Sequence, residues 1–251
     1  MAKLKSIWKI EGTLGDVTFY KGRDGEYMAK TKSGVSKNRI ENDPAFVRTR
    51  ENGAEFGSVA HSGKQIRLGA SVLINKAKDA TLNNRLVHSL TKVKNMDTTS
   101  TRGERNVAMG MESDDAKALL KGYDFNSRSI LGSVLRCPYD LDPVLGAVSL
   151  YDFMPADMVQ HPLNSTHVTL AVGFMNLDFV SGAYDITYSP YLNLPIDMTV
   201  SSPKMTPTSV PVGSGFKFYF FLIEFFQEVN GVQYALNNGN FNVLNLLEVA
   251  E

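Results

Sequence analysis

The sequence FKFYFFLIEFFQEV, residues Phe216–Val229, contains the longest apolar run of the chain and decides the fold class. Aromatic residues dominate the run, and Lys217 and Glu224 interrupt it, so it falls well short of the ~18 apolar residues of a membrane span. Aromatic residues favour strands. Asn230-Gly231 follows directly and is a strong two-residue hairpin signal. We therefore predict a strand that turns back into a second strand.

Similar strand patterns surround this run and extend over residues 123–251. We predict strands at Ser129–Arg136, Val144–Tyr151, His167–Met175, Asp178–Tyr188, Ile196–Ser201, Gln233–Leu236 and Phe241–Val249. Turn signals such as Asn176 and Pro190 separate them. Seven or eight strands at this spacing predict an antiparallel β-sandwich, with an immunoglobulin-like arrangement as one option. Trp8 is the only tryptophan, so the Cys-Trp-Cys pattern of antibody domains is absent.

The N-terminal region carries a hairpin signal of its own. Val17, Phe19 and Tyr20 favour a strand within Leu14–Lys21. Asp24-Gly25 favours a turn, and Glu26–Lys32 is expected to return as a second strand. We call Val17, Phe19, Tyr20 and Tyr27 the arm. An isolated two-stranded hairpin is marginally stable in water. The arm is therefore expected to pack on its own body or on a neighbour.

A polar stretch, Ser33–Asn42, is predicted to be a loop, and a helix is expected after it. Asn42 or Asp43 fits the N-cap and Pro44 fits the first helical position. The helix should extend to about His61 and continue, with a break near Gly63, to Lys78. Aromatic and very small residues recur on it at seven-residue spacing. We call these residues the seam: Phe46, Gly53, Phe56, Ala60 and Gly63.

Glycine is unfavourable inside a helix by about 1 kcal/mol relative to alanine. Several glycines on one stripe therefore suggest that another backbone approaches closely. The partner is either the second helix of the same chain or another subunit, and the sequence leaves both open.

The second helix has a clearer pattern. Leu82, Leu86, Leu90 and Val93 occupy one face at helical spacing, and Asp79 can cap the helix. A short helix is predicted from Asp114 to Leu120, with Gly122 as its C-terminal cap. The fold class is thus α+β: a basic N-terminal hairpin and helical region over residues 1–122, then the sandwich over residues 123–251.

The net charge of zero conceals an asymmetry between these two regions. Residues 1–122 contain 22 Lys and Arg against 14 Asp and Glu, a net charge of +8. Residues 123–251 contain 4 basic and 12 acidic residues, a net charge of −8. The two halves can attract each other within one chain or between neighbouring copies, and the sequence leaves both open. Between copies, charge complementarity sets orientation and register. A head-to-tail contact of this kind produces rings or open filaments.

Catalytic patterns are missing from the sequence. It contains no nucleophile elbow, zinc-protease motif, phosphate loop or dinucleotide fingerprint. The four histidines lack partners at zinc-ligand spacing, and the single Cys137 favours a small buried side chain. We therefore predict a protein that is not an enzyme and that holds no metal or cofactor.

Two binding functions remain as alternatives. A β-sandwich could recognise a protein or a glycan through Tyr184, Tyr188, Tyr191 and Tyr219. Nucleic acid could bind the basic residues Lys30, Lys32, Lys37, Arg39, Arg48, Arg50, Lys64 and Arg67. The interleaved acids Glu41, Asp43, Glu51 and Glu55 disfavour the nucleic-acid interpretation.

Localisation is inferred from what the N-terminus lacks. Met1–Ile10 has charges but no apolar core of secretory length. We expect a chain without a membrane span that is cytoplasmic as synthesised. Release from the cell by a route without a cleaved signal stays open.

Two stretches resemble a known family. The first combines Gly15–Lys21 (GDVTFYK) with Asp43–Gly57 (DPAFVRTRENGAEFG), and the second is Glu224–Gly231 (EFFQEVNG) with Tyr234 nearby. They are similar to an uncharacterised family found mainly in Bacteroidota bacteria. The resemblance implies a bacterial origin, and it brings no site residues.

These observations predict a structural subunit that assembles with other copies of itself into a filament, tube or similar homopolymer. The arm and the seam are its candidate contact residues, and other protein components of an assembly are further candidate partners.

Overall fold

The computed structural model describes residues 2–3, 10–31 and 34–251 and divides the chain into two compact units, residues 1–51 and 52–251. This boundary differs from the compositional division at Gly122. Helical residues between Asn52 and Gly122 pack on the central sheet of the second unit and share its core, so the compact unit begins earlier than the change in composition. Most of Met1–Ile10, on which the expected absence of a secretion signal rests, lies outside the described residues.

The N-terminal unit contains a four-stranded antiparallel sheet. Its strands are β1 (Ala2–Lys3), β2 (Gly12–Leu14), β3 (Val17–Lys21) and β4 (Tyr27–Thr31), in the order β1-β4-β3-β2. The predicted hairpin is confirmed: Gly25 has φ +82°, and the Gly22 N–H donates to the Glu26 carbonyl at 2.8 Å. The arm is thus part of a larger sheet.

Two helical segments follow in the same unit. Ser36 accepts a hydrogen bond from the Arg39 N–H and caps α1 (Lys37–Asn42), so the predicted loop is wrong over this stretch. A six-residue helix with one apolar residue, Ile40, leaves no periodic pattern to detect. Asp43 then caps a 3₁₀ turn, Pro44–Phe46, with Pro44 at its first turn as predicted.

The long helix α2 (Val47–Gly69) continues through Gly63, where a break was predicted. The break lies instead at Gly69 and Ala70, after which α3 (Ser71–Ile74) begins. Gly69 marks a close approach, since an added Cβ would lie 3.4 Å from the Tyr184 ring and still closer to Met175.

Three further helices precede Gly122 in the second unit, and the sequence predicted the first and the third of them. They are α4 (Leu82–Asn95), α5 (Val107–Gly110) and α6 (Asp114–Leu120). The α4 stripe Leu82, Leu86, Leu90 and Val93 is buried as predicted. Gly122 follows α6 with φ +75°.

The central sheet has seven antiparallel strands: β5 (Tyr123–Asp124), β8 (His167–Leu177), β9 (Tyr184–Tyr188), β10 (Leu192–Pro195), β12 (Phe216–Val229), β13 (Val232–Ala235) and β14 (Val243–Ala250). The main order is β10-β8-β12-β14-β5, with β9 beside β8 and β13 beside β12. β12 has the predicted bounds, and the turn at Asn230 (φ 53°) and Gly231 (φ 78°) confirms the hairpin.

A smaller antiparallel sheet contains β6 (Tyr139–Asp142), β7 (Ala147–Leu150) and β11 (Lys204–Met205). Short helices α7 (Leu131–Val134) and α8 (Pro155–Met158) accompany it. The strand predicted at Ser129–Arg136 is wrong, because Leu131, Val134 and Leu135 bury the inner side of one helical turn. At Ile196–Ser201 only an isolated bridge forms, from Ser201 to Phe153.

The central sheet is covered on both faces. One face packs with α2, α4 and α6 around Phe218, Phe220 and Leu222. The other packs with the small sheet around Phe221, Ile223 and Phe225. The fold is α+β as predicted, with a helical layer added to the two sheets, and this layer distinguishes it from an immunoglobulin sandwich.

Candidate functional site

The strand register places most of the arm on one face of the N-terminal sheet. Val17 lies opposite Thr31, Phe19 opposite Ala29, and Tyr27 opposite Lys21. Directly opposed residues share a face, so these three arm residues lie on the same side. Leu14 joins them because it opposes Val17 from β2. We call Leu14, Val17, Phe19 and Tyr27 the apolar arm face.

Tyr20 belongs to the other face of the sheet, where it opposes Met28 and where Lys30 lies 5.4 Å from its ring centroid. The structure therefore separates this arm residue from the other three. Side-chain alternation along a strand is the reason, because Phe19 and Tyr20 are consecutive.

The N-terminal unit has no core among its described residues. None of residues 10–31 and 34–51 is buried, and Leu14 is 74 % exposed. Removing apolar side chains from water is the main favourable contribution to the stability of a small sheet. The apolar arm face is therefore a surface that gains free energy when it is covered.

The seam divides between the two units. Phe46 lies in the 3₁₀ turn of the N-terminal unit, half-buried, with the Arg39 guanidinium 5.7 Å from its ring centroid. Gly53, Phe56, Ala60 and Gly63 lie on the part of α2 that belongs to the second unit.

Within the second unit the two ends of the seam have different surroundings. An added Cβ at Gly63 would lie 3.4 Å from Leu90 Cδ1 and 3.8 Å from Val87 Cγ2, so this end packs closely on α4 of the same chain. An added Cβ at Gly53 would meet open space, and Phe56 is 61 % exposed. Ala60, between them, is half-buried.

Beside the exposed end of the seam lies a buried ion cluster. Glu55 on α2 accepts hydrogen bonds from Lys94 Nζ, from the Gly103 N–H at 2.9 Å, and from Arg105 Nε at 2.8 Å. The Arg105 guanidinium is the main cause that lowers the pKa of Glu55 to about 2. The cluster joins α2, α4 and the loop after α4.

Sequence reasoning treated Glu55 only as one acid within a basic region. A signal did exist, because Glu55 precedes Val59 by four residues and Lys94 follows Val93 on the apolar stripe of α4. Opposite charges beside the apolar faces of two helices that pack together predict a buried ion pair. The buried face of α2 that carries Glu55 could not be recognised from the sequence, however, because its buried positions include Ser62, Gly63 and Gln65 as well as apolar residues.

A groove of about 210 Å³ adjoins this cluster. Asn52, Glu55, Phe56, Val59, Thr91 and Lys94 line it. Every oxygen of the Glu55 carboxylate already accepts hydrogen bonds, so the cluster serves to fix α2 on α4.

Several of the basic residues considered for nucleic-acid binding make contacts within the chain. Arg39 contacts Asp43 at 3.0 Å, Arg48 contacts Glu51 at 2.8 Å, and Arg50 donates to two backbone carbonyls. Lys32 lies outside the described residues. Local pairing reduces the positive field that a polyanion would encounter.

Charges of the two compositional halves also meet inside the chain. Lys76 pairs with Glu224 at 2.7 Å, Lys117 with Glu251 at 2.6 Å, and Lys121 with Glu248. Part of the +8 and −8 division is therefore neutralised within one copy.

The charge division persists at the observed boundary between the units. Residues 1–51 contain 11 basic and 7 acidic residues, a net charge of +4, and residues 52–251 contain 15 and 19, a net charge of −4.

The four tyrosines of the alternative binding surface do not lie together. Tyr219 is buried between the sheets and donates to the Pro143 carbonyl at 2.7 Å. Tyr184 and Tyr191 are about half exposed near the β9 edge, and Lys76 Nζ lies 4.2 Å from the Tyr191 ring centroid. Tyr188 is half-buried on β9.

Groups with catalytic or metal-binding chemistry are dispersed. In the described ranges no group of three or more His, Cys, Asp or Glu side chains could hold a metal ion. Cys137 is buried, and burial raises the pKa of its thiol, which disfavours the reactive thiolate.

Within the same ranges, no helix combines the length and the apolar character that crossing a membrane requires. Comparison of the chain with protein families, with curated proteins and with solved structures yields no match. The resemblance to a Bacteroidota family therefore stays a prediction.

Proposed function

We propose that this chain is a non-enzymatic structural subunit that assembles with other copies of itself into a filament, tube or similar homopolymer. One observation carries the proposal: the N-terminal unit presents an apolar arm face on a sheet in which no residue of 10–31 is buried. A second copy that covers this face would supply the missing layer. Other protein components of an assembly could occupy the same face.

The exposed end of the seam supports the same function. Gly53 and Gly57 have open space beside them, and Phe56 projects between them along α2. Small residues beside a large exposed one let a second helix approach closely.

Electrostatic attraction between copies contributes less than the net charges of residues 1–122 and 123–251 suggest. Three lysines of residues 1–122 already pair with acids within the same chain. The remaining complementarity is that of a +4 unit and a −4 unit.

Light scattering coupled to size-exclusion chromatography, followed by negative-stain microscopy, tests the proposal on the full chain. We expect particles larger than one protomer that grow with concentration. A monodisperse monomer at high concentration and low salt would contradict the proposal.

A matched pair of variants tests the apolar arm face itself. Leu14→Glu places a charge on this face, and Thr13→Glu places the same charge on the neighbouring residue, which points to the other face of β2. Both residues are exposed, and the control also removes the hydrogen bond between the Thr13 and Thr18 hydroxyls at 3.1 Å, so it tests whether damage to the sheet alone weakens assembly. We expect Leu14→Glu to weaken assembly and Thr13→Glu to leave it unchanged, and equal behaviour of the two would contradict the role of this face.

A β-sheet binding module is the second candidate, favoured by the exposed Tyr184 and by the exposed Tyr191, which lies beside Lys76. Aromatic rings with one exposed face suit protein or glycan ligands. Specific retention of the wild type on a glycan array, lost in Tyr191→Ala, would support it. Nucleic-acid binding receives no support from the paired cations, and a gel shift tests it.

A further inference from the structure

A cavity of about 360 Å³ lies in the second unit at the point where β12 begins. The buried Phe179 and Phe216 form part of its wall. Met109 and Val180 also line it and are exposed, Val180 at 84 %. The cavity thus offers apolar surface that continues out to solvent.

Three carboxylates line the same cavity: Glu112, Asp178 and Glu251. Glu251 is paired with Lys117, and its main-chain oxygen accepts a hydrogen bond from Lys217 Nζ. Asp178 instead accepts hydrogen bonds from the Ser181 hydroxyl and the Val180 N–H. These two donors hold the pKa of Asp178 below its usual value, so its carboxylate is charged at neutral pH. Glu112 is exposed and makes no ion pair with a described residue.

A second cavity of about 260 Å³ adjoins the first and shares Asp178 and Ser214 with it. It adds the carboxylate of Asp185. Among the described residues that line the two cavities none is basic. The combination of apolar wall and excess negative charge suits a long basic side chain, which buries its methylene groups and places its charge beside a carboxylate.

We propose that the cavity lined by Glu112, Asp178 and Glu251 receives a lysine side chain from the N-terminal unit of a second copy of this chain. Charge complementarity selects this occupant, because residues 1–51 carry +4 and residues 52–251 carry −4. The contact is head-to-tail and propagates into a ring or filament. The inference rests on the proposed self-assembly and specifies which surface of the second unit takes part.

Zero-length cross-linking identifies the contact directly. A carbodiimide joins a carboxylate to a lysine that touches it, and mixing unlabelled with ¹⁵N-labelled protein distinguishes links between copies from links within one copy. We expect heavy–light links from Glu112 or Asp178 to lysines of residues 1–51. Links from these acids only within one copy, or only to lysines of the second unit, would overturn the proposal.

Charge reversal provides a quantitative test with a matched control. Glu112→Lys should raise the dissociation constant of self-association about tenfold at low salt, since it opposes like charges. Glu228→Lys makes the same change twelve residues after Phe216 on β12, about 40 Å away at the usual rise of a strand. This control should associate like the wild type.

The possible failures are distinguishable. If the wild type associates and Glu112→Lys associates equally well, the cavity contact is wrong and the self-assembly proposal stands. If the wild type is a monomer under all conditions, both are wrong.

Discussion

The N-terminal sheet and the central sheet both place aromatic and β-branched residues on antiparallel strands, but they differ in what covers them. β12 has fourteen residues, and helices and a second sheet bury its two faces around Phe220 and Phe221. β2, β3 and β4 have three to five residues each, and none of their side chains is buried. A strand pattern in the sequence therefore predicts that a sheet forms. It does not predict whether other layers of the structure cover that sheet and bury its side chains.

The largest expected effect contrasts one phenylalanine from each sheet. Phe220→Ala should lower the free energy of unfolding by about 3–5 kcal/mol, because it removes a fully buried ring from the centre of the second unit. Phe19→Ala should change the unfolding of the second unit by less than about 0.5 kcal/mol, as for other surface changes. Urea denaturation of dilute protein measures both, and equal losses would refute the contrast.

A second comparison sets the buried ion cluster against an exposed pair of the N-terminal unit. Glu55→Gln keeps the shape of the side chain but leaves Lys94 and Arg105 without their counter-charge, and should cost about 3 kcal/mol. Glu41→Gln removes an exposed pair with Lys37 and should cost less than about 0.5 kcal/mol. The denaturation midpoints of the two variants measure both losses. A small effect of Glu55→Gln would contradict the stabilising role of the buried ion cluster.

The same carboxylate predicts a pH dependence. Its pKa falls from 4.5 to about 2 on folding, so its contribution is fully present above 4.5 and is lost as pH falls from 4.5 to 2. Melting temperature should therefore fall less steeply over this range for Glu55→Gln than for the wild type. Parallel curves for the two proteins would show that Glu55 has its ordinary pKa.

The smallest expected effects come from substitutions at the two ends of the seam. Gly63→Leu should destabilise by about 1–3 kcal/mol, because Leu90 and Val87 already occupy the space beside it. Gly53→Leu should leave the unit as stable as before or slightly more stable, since helix propensity improves and the site is open. If Gly53→Leu folds and also assembles normally, the exposed end of the seam is not a contact between copies.

Much of the fold was predictable because single elements carry strong local patterns. The apolar run of β12, the Asn230-Gly231 turn and the stripe of α4 each specify one element without help from the rest of the chain. α7 was mistaken for a strand because Ile130, Leu131, Val134 and Leu135 are apolar in a segment too short to show a period. Residues with weak periodicity, such as those of α2, take their orientation from the sheet on which they pack.

The candidate surfaces were predictable only in part. The arm residues were found from their strand propensity, but separating Tyr20 from Phe19 required the register. The Glu55 cluster and the acidic cavity join residues that lie far apart in sequence; Glu112, Asp178 and Glu251 share no spacing pattern. Such clusters arise from topology and are not visible in a single sequence.

Hydrogen exchange at two protein concentrations tests the central claim most directly, namely that the N-terminal sheet is covered by another copy. The account predicts that amides of residues 12–31 become more protected in concentrated than in dilute protein, while amides of β8 and β12 keep the same protection. Protection of residues 12–31 that is independent of concentration would contradict it.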